Sequence, residues 1–169
     1  MYGSFFPGKP FVNRGISSQK NLAYARSLFL RCDCIRPLAV VILGGTNDLY
    51  DFPSGKALQD IESNLAAMAQ LAQTNGIRVV LASVLPVCDC FTAQTQHRSP
   101  AKIMALNSWI KRYCEQNGLV YLNYYSAMAD PAGLFKKGLT YDGLHPNAAG
   151  YQVMTPLTMR AIEQAVAKP

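Results

Sequence analysis

The chain has 169 residues, of which half are apolar and 15% are charged, with 12 glycines and 10 prolines; this predicts a single globular domain over residues 1–169 and excludes a disordered or collagen-like chain. The net charge of +6 comes from basic residues among the first 40 positions that stand five or six apart, which spreads them around a helix and argues against nucleic acid as a partner. No apolar run reaches the roughly 18 residues that span a bilayer, and the N-terminus lacks a secretory signal, so the sequence leaves the compartment unknown.

The first part of the chain predicts a strand, a polar turn, a helix and a second strand. Residues 11–13 are a short strand candidate, residues 14–18 form a polar turn, and apolar residues then recur at helical spacing over 22–35. Residues 38–43 (LAVVIL) are continuously apolar, as is typical of a strand buried on both faces. This strand leads directly into Gly-Gly-Thr-Asn-Asp, so a second polar turn is predicted at the end of a strand.

The rest of the chain repeats the alternation of helix and strand. Apolar spacing, caps and turn residues predict two more helix–strand pairs and a last helix, over residues 54–76, 77–85, 99–118, 119–124 and from 147 onward. Such an alternation predicts a parallel sheet covered by helices on both faces, with right-handed crossovers.

Ligands bind to open sheets of this kind beyond the carboxyl ends of the strands. Four polar segments are predicted at that edge: residues 14–19, 44–48, 86–99 and 140–147. The chemistry of the protein is therefore expected in these four segments.

The five cysteines include two Cys-Asp-Cys triplets. An odd number excludes complete disulfide pairing and favours a reducing compartment. A zinc site made of Cys32, Cys34, Cys88 and Cys90 would require the triplets to meet, but the predicted topology puts them at opposite ends of the sheet. We therefore predict no metal site shared by these triplets.

The two histidines differ in their surroundings. His97 lies in a long loop, whereas His145 follows Asp142 by three residues in a turn, where the carboxylate can reach the imidazole and fix its tautomer. The pair would supply two thirds of an acyl-transfer triad. The alternative is that Asp142 caps a turn and His145 is a surface side chain, since short motifs often match by chance.

Asn47 stands directly after Gly-Gly-Thr at the tip of a predicted buried strand. Its carboxamide would present an N–H donor at the ligand edge, as an oxyanion hole needs. An ordinary Asn-Asp turn is the alternative. The Asn47 turn and the Asp142–His145 motif are predicted at the same edge of one sheet, and this strengthens both interpretations.

Four stretches together resemble the SGNH/GDSL hydrolase family, in particular its bacterial acylhydrolases similar to platelet-activating-factor acetylhydrolase: VNRGISSQ, GGTND, LNSWIKRYCEQNGLVYLNYYSAM and YDGLHPNAAGY. The resemblance runs from about residue 5 to the C-terminus. It implies a flavodoxin-like three-layer α/β/α sandwich with Asn47 as an oxyanion donor and Asp142 and His145 as the acid and base.

The sequence departs from the family pattern at two places. The family's nucleophile is the serine of a Gly-Asp-Ser motif that ends the first strand, and no such triplet occurs here, so we expect an N-terminally incomplete domain whose first strand is missing. Ser4 does not take the place of this serine, because in the alignment with the family it falls at the end of the helix that follows the first strand. The second oxyanion donor is the backbone N–H of a family glycine that aligns with Ser18, and serine adopts a positive φ less readily than glycine.

The resemblance implies an ester hydrolase by descent, acting on small acyl groups such as acetyl esters of carbohydrates or lipids, by a mechanism that needs neither a metal nor an organic cofactor. The expected partner is a small-molecule ester, and self-association is expected from the missing strand. The resemblance implies relatives that are often secreted or periplasmic. A non-catalytic homologue that still binds an ester or glycan is the alternative, and a nucleophilic Cys88 or Cys90 is a third, weaker one.

Overall fold

A computed structural model describes residues 6–16, 18, 36–50 and 56–167 of the chain. These residues form three strands, four α-helices and one 3₁₀ turn at residues 137–139. In chain order the elements are β1 (Ala39–Ile42), α1 (Lys56–Thr74), β2 (Arg78–Ala82), α2 (Pro100–Gln116), β3 (Val120–Leu122), α3 (Tyr124–Met128) and α4 (Ala148–Ala167).

The three strands form one parallel sheet in the order β1-β2-β3. The register places Val80 of β2 between Val41 of β1 and Val120 of β3. Parallel neighbours need a long crossover, and here α1 connects β1 to β2 while α2 connects β2 to β3. All three strands therefore end at the same edge of the sheet.

Successive side chains of β2 point to opposite faces of the sheet and belong to separate apolar cores. Val79 and Leu81 pack with the apolar faces of α1 and α2. Val80 and Ala82 pack with α3 and α4 on the other face. This two-sided burial explains why the strands are continuously apolar, and it confirms the predicted three-layer α/β/α architecture.

Residues 11–13 do not form the predicted strand. Val12 is 55% exposed, and local contacts occupy the backbone on both sides, since the Phe11 N–H donates to the Lys9 carbonyl and the Gly15 N–H donates to the Asn13 side chain. Three residues held in such turns make no ladder contact with the sheet. The predicted helix over residues 22–35 lies outside the described residues.

The predicted strands over residues 38–43, 77–85 and 119–124 exist but are shorter at their ends. The Ser83 N–H still donates to the Leu122 carbonyl of β3, but beyond it the backbone leaves the sheet, because Val84 exchanges hydrogen bonds with the Asn107 side chain. Tyr124, predicted as the last residue of a strand, instead begins α3, which Asn123 caps by accepting from the Ser126 N–H. Among the helices that the structure describes, none is long and apolar enough to cross a membrane.

Candidate active site

The loops that follow β1 and β2 meet the loop before α4 at the carboxyl edge of the sheet. Arg98 Nε donates to the Thr46 carbonyl at 3.1 Å and so ties residues 86–99 to the turn after β1. The Cys88 N–H donates to the Gly143 carbonyl at 2.9 Å and ties the same segment to the loop before α4. Three of the four segments predicted to share this edge are therefore in contact with one another.

Asp142 and His145 form a close pair in the loop before α4. His145 Nδ1 lies 2.6 Å from Asp142 Oδ2, and the His145 and Leu144 N–H groups donate to Asp142 Oδ1 at 2.7 and 2.9 Å. The His145 side chain is 57% exposed and the Asp142 side chain is 30% exposed. The carboxylate thus orients the imidazole at one ring nitrogen, while the ring itself stays open to solvent.

The ionisation of Asp142 follows from these contacts. Burial alone would raise the pKa of Asp142, but the hydrogen bonds from the His145 N–H, the His145 ring and the Leu144 N–H outweigh it and lower the pKa below its ordinary value. An ionised carboxylate only accepts hydrogen bonds, so His145 Nδ1 carries the hydrogen in this pair. In the neutral imidazole the opposite nitrogen, Nε2, then holds the lone pair.

Thr140 closes the loop that carries Asp142 and His145. Its buried hydroxyl donates to the His145 carbonyl at 2.7 Å and accepts from the Gly143 N–H at 3.0 Å. Asn147 holds the far end, because its side-chain amide donates to two carbonyls of the preceding turn and its oxygen caps α4 at the Gly150 N–H. Both ends of the loop are thereby fixed to the scaffold.

Two further contacts shape the surroundings of His145. The Tyr141 ring lies nearly parallel to the imidazole, with 5.7 Å between ring centroids and 12° between planes, and it is 56% exposed. Gly143 adopts a φ of +88° against the Cys88 backbone, where a Cβ would come within 2.3 Å of the Cys88 carbonyl oxygen. Glycine is required at that position because the φ is positive and because there is no room for a side chain.

Asn47 lies in a tight turn after β1. Gly45 has a φ of +110°, and its carbonyl accepts from the Asp48 and Leu49 N–H groups at 3.1 and 3.0 Å. A Cβ on Gly45 would lie 3.0 Å from Leu106 Cδ2 and 3.3 Å from Val84 Cγ2, so the turn packs directly on the core. The turn is therefore a rigid support for Asn47, which is half-buried at its centre.

Ser18 adopts a φ of +61°, in the left-handed region that favours glycine. The position thus has the backbone conformation expected where the family carries glycine, although a serine stands there. Ser18 is exposed. Its role as a backbone N–H donor stays a prediction.

Sequence reasoning did not identify Arg98 or Asn107. Arg98 is only 7% exposed; besides its bond to Thr46 it donates to Gln94 Oε1 at 3.0 Å, and its guanidinium lies 4.7 Å from the centroid of the Tyr50 ring. Asn107 is also buried, and it binds both backbone groups of Val84. The sequence did contain a signal for Asn107, because it is a polar residue next to Leu106 on the otherwise apolar face of α2.

Cys88 and Cys90 are joined by a disulfide, with their Cα atoms 5.3 Å apart. A disulfide sulfur is not a thiolate, so it neither binds zinc nor acts as a nucleophile. The structure therefore supports neither a zinc site nor a catalytic cysteine at this triplet. Cys32 and Cys34 lie outside the described residues. Within the described ranges, no three His, Cys, Asp or Glu side chains are grouped as a metal site would require.

Comparisons with known proteins identify the family and the fold. The model of the GDSL-like Lipase/Acylhydrolase family matches residues 3–153. A GDSL-like lipase structure from Bacteroides thetaiotaomicron is 34% identical with a TM-score of 0.86, over 96% of this chain and 80% of that one. An acylhydrolase candidate from Bacteroides fragilis is 29% identical with a TM-score of 0.87, over 96% and 79%.

A platelet-activating-factor candidate from Streptococcus pneumonia is 28% identical with a TM-score of 0.76, over 92% of this chain and 74% of that one. No curated protein sequence is significantly similar to the chain. The family match covers most of the sequence, including both the Asn47 turn and the Asp142–His145 loop. The chain therefore belongs to the GDSL-like lipase/acylhydrolase family.

Proposed function

We propose that this chain carries the acid–base pair and the oxyanion donors of an ester hydrolase that removes small acyl groups, such as acetyl, from carbohydrate or lipid esters. The observation that carries the proposal is the 2.6 Å contact between His145 Nδ1 and Asp142 Oδ2, in a loop at the carboxyl edge of the sheet. Membership of the acylhydrolase family supports the reaction class.

His145 acts as the general base in this mechanism. Its Nδ1–H donates to Asp142, so Nε2 is free to take the proton of an attacking hydroxyl and to return it to the leaving alcohol. Asp142 holds the ring in that tautomer and stabilises the imidazolium that forms. The solvent-exposed ring allows an ester to approach from outside.

Asn47 and the Ser18 N–H stabilise the negative oxygen of the tetrahedral intermediate. The rigid Gly45 turn supports this role, because an oxyanion donor is effective only if it is fixed before the reaction. The left-handed backbone of Ser18 supports the second donor, since it reproduces the conformation of the family glycine.

A serine hydroxyl is the nucleophile that such a pair serves in the family, and the 169 residues contain no Gly-Asp-Ser triplet. We therefore expect little or no hydrolysis of p-nitrophenyl acetate by this chain as it stands. Joining it to an upstream strand that ends in Gly-Asp-Ser should create activity. In that joined protein, Asn47→Ala should lower kcat by about 100 to 1000-fold, and Asp142→Asn by about 10,000-fold.

The Lys111→Ala variant, at a position of α2 whose side chain is 62% exposed, serves as the control and should keep full activity. Loss of activity in His145→Ala but not in Lys111→Ala supports the proposal. A strong rate in the chain as it stands, which survives Ser4→Ala and Ser18→Ala but vanishes in His145→Ala, would reveal a different nucleophile.

One second function is a non-catalytic protein that binds an ester or glycan at this edge, beside the exposed Tyr141 ring. In that case the joined protein stays inactive, while acetylated oligosaccharides still shift the NMR signals of His145 and Tyr141. The joined protein therefore distinguishes the two functions.

A further inference from the structure

The disulfide between Cys88 and Cys90 stands at the base of a loop, residues 87–95, that we call the disulfide loop. Cys88 is 3% exposed, whereas Cys90 is half-buried, so Cys90 is the more accessible cysteine of the pair. Asp89, between them, accepts hydrogen bonds from the Gln94 and Thr95 N–H groups at 2.6 and 2.8 Å. The loop is therefore folded back on itself around the cysteine pair.

The disulfide loop contacts the loop of the acid–base pair at two points. The Cys88 N–H donates to the Gly143 carbonyl at 2.9 Å, and the Cys88 carbonyl lies so close to Gly143 that no side chain fits between them. Thr92 Oγ1 donates to the Asp142 carbonyl at 3.1 Å. The position of Asp142 thus depends on the position of the cysteine backbone.

The opposite side of the disulfide loop is anchored to the body of the domain. The Phe135 N–H donates to the Val87 carbonyl at 3.1 Å, and Phe135 is buried in the core. The residues at and after Cys88 are held by the disulfide and by Asp89. Cleavage of the disulfide therefore removes one of the two restraints on the segment that carries Thr92 and its contact to Asp142, while the Val87 carbonyl stays bonded to Phe135.

From this arrangement we propose that Cys88–Cys90 is a thiol–disulfide exchange site for small thiols, and that its redox state sets how firmly the Asp142–His145 loop is held. The inference does not depend on ester hydrolysis, because it concerns only the disulfide loop and its two contacts.

The exchange follows from the unequal exposure of the two cysteines. A thiolate of the small thiol attacks the more accessible Cys90 Sγ, the S–S bond breaks, and the electron pair leaves on Cys88 Sγ, which takes a proton from solvent. A second thiolate attacks the mixed disulfide on the sulfur of the small thiol. The oxidised small disulfide departs, and Cys90 is left as a thiolate that is then protonated.

The structural effect of reduction is local. A disulfide that closes so short a loop removes less chain entropy from the unfolded state than one that closes a long loop. The change should therefore appear in the protection of the Gly143 and Cys88 amides and only weakly in the melting temperature.

The first measurement maps the thiols. Cleavage after Arg78 and Arg98 places both sulfurs on one peptide, residues 79–98, separate from Cys32, Cys34 and Cys114. Without urea, iodoacetamide should leave this peptide unmodified until dithiothreitol is added, and should then label it twice. Reduced glutathione should give a mixed disulfide at Cys90.

The second measurement is amide hydrogen exchange by NMR with and without dithiothreitol. Reduction should speed exchange at Gly143 and Cys88 on the order of tenfold, and leave the Ser126 amide, which bonds to the Asn123 side chain in α3, unchanged. The Cys90→Ser variant should exchange fast under both conditions. The matched control Cys114→Ser removes a buried thiol that takes part in no disulfide, and it should behave like the unmodified chain.

Three results would overturn the inference. Labelling of both cysteines before any reductant is added would show that the disulfide does not form. Reduction only in urea would show that small thiols do not reach it. Equal exchange rates at Gly143 before and after complete reduction would show that the disulfide does not control the Asp142–His145 loop.

Discussion

Asp142 holds His145 by two separate oxygens: Oδ2 contacts the ring at Nδ1, and Oδ1 accepts from the His145 backbone N–H. A single carboxylate therefore fixes the side chain and the main chain of the same residue. The Leu144 N–H donates a third hydrogen bond to this carboxylate, also at Oδ1. The orientation of the imidazole is thus set by a turn only four residues long.

The stabilising effect of Asp142 should depend on pH. Its hydrogen bonds place the folded pKa below the ordinary value of 3.8, so its contribution to the free energy of unfolding is complete above 3.8 and is lost as the pH falls through the folded pKa. Asp142→Asn should therefore be less stable than the unmodified chain at neutral pH, and the difference should vanish at the acid end. Urea unfolding across this pH range measures the difference in the free energy of unfolding. Asp60→Asn, at an exposed position, is the control. A difference that persists in acid would contradict the lowered pKa of Asp142.

Gly143→Ala should be much more destabilising than Gly76→Ala. Both glycines have positive φ, +88° and +72°, but only at Gly143 does the new methyl group meet the Cys88 carbonyl, whereas nothing lies within 4 Å at Gly76. We expect a loss of about 1–2 kcal/mol for Gly76→Ala from backbone strain. Gly143→Ala should lose about 1–3 kcal/mol more from overlap. Guanidinium unfolding of both variants tests this, and equal losses would refute the close contact.

Asn107→Ala should destabilise the fold although Asn107 lies away from the acid–base pair. The change leaves the buried N–H and carbonyl of Val84 without their partner, at a cost of about 2–5 kcal/mol. Its exposed neighbour Ser108 bonds only within its own helix, so Ser108→Ala should change stability by less than about 0.5 kcal/mol. Denaturant midpoints of the two variants give the comparison, and a mild Asn107→Ala would mean that water replaces the side chain.

Thr140→Val should loosen the loop that carries Asp142 and His145. The hydroxyl joins the Gly143 N–H to the His145 carbonyl, and its loss should cost about 2–3 kcal/mol. Thr155→Val is the matched control, because the Thr155 hydroxyl only donates to a carbonyl of its own helix. The NMR signals of the His145 ring should broaden in Thr140→Val alone. Unchanged signals would show that the hydroxyl does not hold the loop.

We expect the purified chain to self-associate. Among the described residues β1 pairs only with β2, and Leu38 beside it is 75% exposed. An open strand edge with apolar neighbours promotes pairing with another chain. Analytical ultracentrifugation should show species larger than a monomer, whereas a single monodisperse monomer that melts cooperatively would disprove this expectation.

The sequence by itself determined the alternation of strands and helices, the parallel sheet and the pairing of Asp142 with His145. The strand at residues 38–43 was recognisable because burial on both faces requires a continuous apolar run, and the pair because three residues of a turn bring a carboxylate and an imidazole together. These features depend on local spacing, which the sequence displays directly.

Only the tertiary structure decided which segments touch across the edge of the sheet. Arg98 bonds to Thr46 across 52 positions, and Cys88 bonds to Gly143 across a similar separation, so neither contact leaves a pattern in either segment. The strand prediction at residues 11–13 was wrong for the same reason. A strand forms only where the backbone of a neighbouring strand is in place to bond with it, and the local sequence does not show whether that is so. Contacts between distant segments are set by how the helices pack the loops together, and local spacing does not contain that information.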